Sequence, residues 1–203
     1  EARGAWFCSP EQTAALGPVC FDVAGGRMRA EAVGQPARVL AGRAGFHVPD
    51  QTRLLIAEGT GVGREHPLSH EILMPVLTLY RCASYEESFQ TCRAITLRGG
   101  VGHTVVVYAN DDRVVEDFAR LDAARILVNQ PSTQGAIGGI FNTLRASLSL
   151  ACGTGAGNTT TDNISVDHLL NIHRVARRRP NSRWLDKARA RSVQSSTKLI
   201  GPP

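Results

Sequence analysis

Between residues 53 and 129 the sequence alternates short apolar runs with amphipathic segments, and this alternation restricts the fold more than any other feature. The apolar runs, five to seven residues long, cover 53–57, 76–82, 103–108 and 125–129. Runs of this length and character are typical of buried strands. Helical patterns cover 84–100 and 111–121 between them. Strands and helices in alternation with short connections predict an α/β fold with a parallel, right-handed βαβ sheet.

Helix start and stop signals support these limits. Ser9 with Gln12, and Ser84 with Glu87, have the spacing of capping boxes, so each serine is expected to begin a helix. A further helix is expected between Pro36 and Gly45, because the glycine can take the left-handed conformation that ends a helix.

The residue composition of the sequence changes after Gln130. Two glycine-rich stretches, 134–139 and 152–158, are too dense in glycine for simple connectors, and such segments often form the walls of a site. An apolar run over 169–176 predicts a late strand. We therefore expect a catalytic-type domain over 1–165, an oligomerisation strand within 166–178, and a basic, mobile tail over 179–203.

The net charge of +5 does not describe most of the chain, because many of the basic residues lie near its C-terminal end. Residues 171–203 hold nine basic side chains and one acid, which leaves 14 basic and 17 acidic residues in 1–170. A mildly acidic domain with a basic tail favours a solvated or partner-contacting tail over a nucleic-acid-binding one. No apolar run reaches the length of a membrane span, and no leader segment is visible, so we expect no membrane association and a cytoplasmic location.

The cysteines permit two interpretations. Five of them, with no CxxC pair, are typical of a reducing cytosol. Cys152 could pair with His103 or His168 as a nucleophile and base, and Cys8 precedes a helix start that would lower its pKa. The alternative for each cysteine is a buried or incidental thiol.

Two further patterns point to ligands only weakly. The stretch CGTGAGN at 152–158 has the glycines of a dinucleotide-binding loop, but a threonine-rich run follows it where that loop requires an apolar helix. His66, His70 and Glu71 include metal-ligand side chains, but Pro67 interrupts their spacing, so no metal site is expected. Glu71 itself precedes a strand, where an acid in a loop is placed to accept hydrogen bonds from ligand hydroxyls.

Several motifs, in order along residues 4–178, resemble the CoA-acylating branch of the aldehyde dehydrogenase superfamily. They are EILMPV (71–76), GGVGHT (99–104), ARILVN (124–129), PSTQG (131–135), SLSLACG (147–153) and NISVDHLLNI (163–172). The chain thus resembles the C-terminal catalytic-domain portion of an acetaldehyde dehydrogenase domain of the bifunctional aldehyde-alcohol dehydrogenase type.

The resemblance implies that an aldehyde, CoA and NAD are converted to acyl-CoA and NADH. It implies that Glu71 binds the hydroxyls of the nicotinamide ribose and that Leu150 lines the cofactor site through its backbone. His103 would have an auxiliary role near the reacting centre, and Cys152 would be a structural neighbour. It also implies a homo-oligomer or a partner chain, joined through the late strand, and no metal.

One departure concerns the nucleophile. The family's cysteine lies in a C-x-x-E-[QK]-x element, upstream of the region that residues 4–7 resemble. Cys8 has a similar context, but the register that fits the other motifs places it at a later helix start, so Cys8 is not expected to be the nucleophile. No counterpart of the family's cofactor-binding Rossmann domain is found either. We therefore expect the chain to be inactive alone, which leaves its status as an enzyme open. The alternative is a non-catalytic assembly or regulatory subunit built on the same fold.

Overall fold

The computed structural model describes residues 3–178, together with Arg183 and Lys187. The chain divides into two units, Glu1–His168 and Leu169–Pro203. Seven strands lie in the first unit: β1 Ala5–Phe7, β2 Phe21–Asp22, β3 Arg27–Met28, β4 Leu54–Glu58, β5 Val76–Leu79, β6 Thr104–Val107 and β7 Arg125–Val128. Within residues 3–178 the five α-helices are α1 Pro10–Cys20, α2 Ala37–Arg43, α3 Tyr85–Gly99, α4 Asp112–Phe118 and α5 Ser132–Ile137.

The first sheet is parallel and has the strand order β1-β4-β5. Trp6, Leu55 and Val76 are neighbours across it and point to one face, where Leu55 and Val76 are buried. Helices α1 and α2 contribute Leu16 and Leu40 to the same core. Burial of these side chains supplies most of the stability of this half of the unit, at roughly 1.5–3 kcal/mol for each large apolar residue.

Helix α1 begins with the capping box that its sequence predicts. The amide of Gln12 donates to the Ser9 side chain at 3.2 Å, and the Ser9 amide donates to the Gln12 side chain at 3.0 Å. Helix α3 begins at Ser84 in a related way, although Glu87 accepts from the amide of Ala83. The short antiparallel hairpin of β2 and β3 follows α1.

The second sheet pairs β6 with β7 in parallel. Its core contains Val107, Phe118 and Leu121, with Phe89 of α3 packed edge-on against Phe118 at a ring-centroid distance of 5.6 Å. The sequence predicted α3, β6, α4 and β7 within a few residues, because each has a clear apolar period.

The α/β class and the parallel pairing are confirmed, but the prediction of one sheet is not. Within the described residues the parallel strands fall into two sheets, and β5 and β6 do not pair. Apolar periodicity shows where strands lie and leaves their pairing to tertiary packing. Helix α5, in a stretch interpreted as a glycine-rich wall, was also not predicted.

The late strand over 169–176 has no strand pairing in this single chain. Its apolar side chains are exposed, with Leu169 at 81% and Val175 at 88%. The predicted role of this segment was to pair with a partner chain, and that role stays a prediction. The predicted tail over 179–203 lies outside the described residues, apart from Arg183 and Lys187. No helix in the described part of the chain is long and apolar enough to cross a membrane.

Candidate functional site

The structure brings Glu71 and His103 to the walls of one cleft of about 390 Å³. Glu71 lies on the loop before β5, and His103 lies directly before β6. The C-terminal half of α3 forms the wall between them through Cys92, Thr96 and Gly99. The two halves of the first unit therefore meet at this cleft.

The segment before Glu71 is held by hydrogen bonds and by an aromatic contact. It includes a single 3₁₀ turn, Pro67–Ser69, and the buried Ser69 hydroxyl makes a 2.7 Å hydrogen bond to the carbonyl of His66. The ring of His70 stacks on Phe21 with 4.1 Å between centroids. Within the described residues the Glu71 carboxylate makes no ion pair, so it is available to a ligand.

The surroundings of His70 favour its neutral form. Burial lowers the pKa of His70, and the nearby Arg98 guanidinium lowers it further, since both disfavour a second positive charge. Nη2 of Arg98 lies 3.1 Å from Nε2 of His70. A neutral Nε2 can accept this hydrogen bond, which ties the end of α3 to the segment that holds Glu71.

A tight glycine turn places His103. The His103 amide donates to the carbonyl of Gly100 at 2.9 Å, and the Gly102 amide donates to the carbonyl of Asp122 at 2.6 Å. Gly102 has a φ of +82°, and a Cβ there would overlap the carbonyl of Cys152. Both the conformation and the close approach require glycine at this position.

Leu150 and Cys152 lie on a loop that folds back on itself rather than in the cleft. Leu150 forms an antiparallel bridge with Asn163, and the amide of Ala151 donates to the carbonyl of Asp162 at 3.1 Å. Neither Leu150 nor Cys152 lines the cleft of Glu71 and His103. The backbone of Cys152 packs against Gly102 in the turn that precedes His103. This loop therefore supports His103 without lining the cleft.

Arg125 connects the start of β6 to the loop that contains Leu150 and Cys152. The sequence alone did not predict this role. The Arg125 side chain is buried, with 5% of the residue exposed. Nε donates to the Thr104 hydroxyl at 3.1 Å, and Nη1 donates to the carbonyls of Ala151 and Thr161 at 2.9 and 3.1 Å. The detectable signal was an arginine at an otherwise apolar strand, where only a well-bonded cation is tolerated.

Three of the thiols, those of Cys8, Cys20 and Cys92, do not have the properties of an activated nucleophile. Burial raises the pKa of Cys8, which corrects the expectation that the adjacent helix start would lower it. Burial raises the pKa of Cys20 to about 11, with Cys8 adding to the effect. Cys92, which sequence reasoning did not single out, lines the cleft, but burial first and Cys82 second raise its pKa. A raised pKa reduces the thiolate fraction that attacks an aldehyde.

His66 and His70 do not converge on a metal site. His66 lies 3.7 Å from the Glu65 carboxylate, while His70 is stacked on Phe21. In the described part of the chain no group of three or more His, Cys, Asp or Glu side chains is placed to hold a metal ion.

Comparison with known proteins identifies relatives of one kind. No family model matches the chain. It is 40% identical over 164 residues to the bifunctional aldehyde-alcohol dehydrogenase AdhE of Escherichia coli, which covers 78% of this chain and 18% of that protein. It is 36% identical over 188 residues to an aldehyde-alcohol dehydrogenase of Streptococcus pneumoniae, which covers 89% of this chain and 21% of that protein.

A solved structure agrees. The acetylating aldehyde dehydrogenase from Geobacillus thermoglucosidasius superposes with a TM-score of 0.78 at 35% identity, covering 89% of this chain and 40% of that one. The chain thus spans about a fifth of the length of the two curated relatives and two fifths of the solved chain.

Proposed function

Because the chain is a homologue of the acetylating aldehyde dehydrogenases over most of its own length, we propose that it forms part of an NAD-dependent acylating aldehyde dehydrogenase. The overall reaction converts an aldehyde, CoA and NAD to acyl-CoA and NADH. In this proposal the chain works in the cytoplasm and supplies part of the cofactor site and an auxiliary group. The cysteine nucleophile comes from sequence that is not in this chain.

The observation that carries the proposal is the shared cleft of Glu71 and His103. The two residues are 32 positions apart and belong to separate motifs of the family. A single cleft between them is the arrangement expected if one contacts a cofactor and the other lies near the reacting centre.

The residues fit a nicotinamide ribose in their chemistry. Glu71 is exposed at the cleft and makes no ion pair within the described residues, so its carboxylate can accept hydrogen bonds from two neighbouring hydroxyls. NAD, when bound, accepts the hydride from the substrate. His103 is also exposed, and its imidazole can accept or orient the proton of a CoA thiol. Leu150 would reach the cofactor only through its backbone.

The first test uses the chain alone. With acetaldehyde, CoA and NAD, the purified chain is expected to produce no NADH above a protein-free mixture, followed by absorbance at 340 nm. A missing covalent step cannot be offset by binding groups alone. Turnover by the chain would contradict the prediction that it lacks the nucleophile. The variants Cys8→Ala and Cys92→Ala would then test which thiol reacts.

The second test measures the contribution of Glu71 within a complete enzyme. In a chimera, this chain replaces the matching 164-residue segment of the Escherichia coli relative. Glu71→Gln should raise the KM for NAD by about tenfold or more, because a charged hydrogen bond contributes roughly 1.5–3 kcal/mol. Glu116→Gln, an exposed change on α4, is the matched control and should leave KM unchanged. Equal KM values in all three proteins would remove Glu71 from the cofactor site.

A second candidate function is a non-catalytic assembly or regulatory subunit. The exposed apolar side chains of 169–176 favour it, because an apolar segment without strand pairing can add a strand to a partner's sheet. Light scattering of the purified chain distinguishes the two. A stable oligomer that Val175→Asp dissociates supports assembly through this segment, whereas a monomer at all concentrations excludes self-assembly.

A further inference from the structure

A second cleft, of about 400 Å³, lies beside the start of β7 and shares no lining residue with the cleft of Glu71 and His103. Its walls come from three segments, 124–125, 144–145 and 161–168. All three belong to the first unit. Small-molecule sites have volumes from about 300 Å³ upwards, so this cleft can hold a ligand of a few non-hydrogen atoms together with water. We call it the Arg125 cleft.

The guanidinium of Arg125 has one nitrogen without a protein partner. Nε and Nη1 donate to protein oxygens, whereas Nη2 makes no hydrogen bond within the described residues. Nη2 is still not sealed in the interior, because Thr13 Oγ1 is the one fully buried side-chain polar atom without a partner in the described part of the chain. Its two N–H groups therefore open into the cleft that Arg125 lines. Since only 5% of the residue is exposed, they need an acceptor that enters from this cleft.

The other charged groups of the Arg125 cleft already have partners. Arg145 donates to the Asp167 carboxylate and, at 2.6 Å, to the Ser165 hydroxyl. Nε2 of His168 lies 3.3 Å from the Asp162 carboxylate, and the Ser165 amide donates to Nδ1 of His168 at 3.1 Å. Because Nδ1 accepts this hydrogen bond, the proton of a neutral imidazole lies on Nε2 and is directed to Asp162.

The balance of charge favours a monovalent anion as the ligand. Two arginines and two aspartates line the cleft, so their formal charges cancel while the histidine is neutral. A dianion such as phosphate would be repelled by both Asp162 and Asp167. A single carboxylate can accept from Nη2 of Arg125, which forms no ion pair within the described residues. Leu144 adds an apolar wall that suits a short alkyl chain.

We propose that the Arg125 cleft binds a short-chain monocarboxylate, with its carboxylate on Nη2 of Arg125 and its alkyl group against Leu144. Arg145 attracts this ligand, and Asp162 opposes it. Water is the alternative occupant, because it can satisfy Nη2 without any selectivity for charge. The site is independent of the proposed reaction, since it uses no residue of the cleft of Glu71 and His103.

The test is a titration of the ¹⁵N-labelled chain with propionate at low salt, followed by NMR. Propionate should shift the Nε–H resonance of Arg125 and the backbone amides of 161–168. The expected Kd is roughly 1–10 mM, which is in keeping with a ligand of about five non-hydrogen atoms. Propionamide, which is the neutral isostere, and inorganic phosphate should each bind at least tenfold more weakly.

Two variants should change the affinity in opposite directions. Asp162→Asn removes the opposing carboxylate and should tighten propionate binding about three- to tenfold, whereas Arg145→Gln should weaken it by a similar factor. Arg38 and Asp50 form an exposed ion pair outside the cleft, at 3.7 Å, and supply the matched controls. Arg38→Gln and Asp50→Asn should leave the Kd unchanged.

Far-UV circular dichroism checks that the two cleft variants keep the fold, and the titration of the wild-type chain decides the proposal if they do not. Equal shifts with propionate and propionamide, or no shift at the amides of 161–168, would leave water as the occupant and overturn the proposal. Tighter binding of phosphate than of propionate would overturn it as well. Changes of Kd in the two control variants as large as those in the cleft variants would show that the effect is one of overall charge and would also contradict the site.

Discussion

Arg125 carries a full charge into the interior, and no carboxylate in the described part of the chain forms an ion pair with it. Its hydrogen-bond acceptors are the Thr104 hydroxyl and the carbonyls of Ala151 and Thr161. Burying a cation is unfavourable unless its donors are satisfied, and these acceptors lie on three separate segments. The guanidinium therefore fixes the start of β6, next to His103, against the loop that contains Leu150.

Replacing Arg125 with Met should destabilise the chain by roughly 2–4 kcal/mol. The apolar part of the side chain is kept, but the buried carbonyl of Ala151 and the partly buried carbonyl of Thr161 lose their donor. Urea unfolding followed by circular dichroism measures the effect. Arg113→Met on the exposed surface of α4 is the control and should change stability by about 0.5 kcal/mol or less. An unchanged midpoint for Arg125→Met would show that water replaces the guanidinium without cost.

Among the secondary-structure elements, those with local signals were predicted best. The capping box at Ser9, the N-cap at Ser84 and the apolar period of α4 depend on neighbours a few residues away, so the sequence contains the whole signal. Strand pairing depends on partners far along the chain, which is why the division into two sheets was missed. The short β1 and helix α5 also lacked a clear period.

The candidate site shows the same division. The motif resemblance pointed to Glu71 and His103, and the structure places both in one cleft. It places Leu150 on a separate loop, because the chain folds back between Ser149 and Ile164. Arg125 and Cys92 were missed since burial and cleft exposure are set by tertiary packing and not by the spacing of residue types.

The contact between two loops yields a prediction about Gly102. Gly102→Ala forces a side chain into the left-handed region and against the carbonyl of Cys152, so stability should fall by about 2–4 kcal/mol. Thermal unfolding of the variant measures the loss. Gly42→Ala within α2 is the matched control, because its Cβ would meet no atom within 4 Å and alanine favours a helix. If Gly102→Ala unfolds at the wild-type temperature, the two loops do not pack as described.

For the molecule as a whole, the thiols bear on the proposal that the reacting cysteine does not belong to this chain. All five cysteines are unbonded, and burial raises the pKa of Cys8, Cys20 and Cys92. Cys92 alone among the five lines the cleft of Glu71 and His103. A thiol of raised pKa in that cleft is suited to packing against α4 and poorly suited to attack.

The chimera with the Escherichia coli relative tests whether Cys8 or Cys92 is the thiol that reacts. Cys8→Ala and Cys92→Ala should each leave its kcat within about twofold, since neither thiol reacts, whereas loss of a covalent nucleophile lowers kcat by several orders of magnitude. Rates of NADH formation with acetaldehyde and CoA distinguish these outcomes. A collapse of kcat in Cys92→Ala with its unfolding midpoint unchanged would place the nucleophile on α3 of this chain, and a collapse in Cys8→Ala alone would place it at the end of β1. Retained activity in both variants would show that neither Cys8 nor Cys92 is the nucleophile, as expected if the reacting thiol comes from the Escherichia coli part of the chimera.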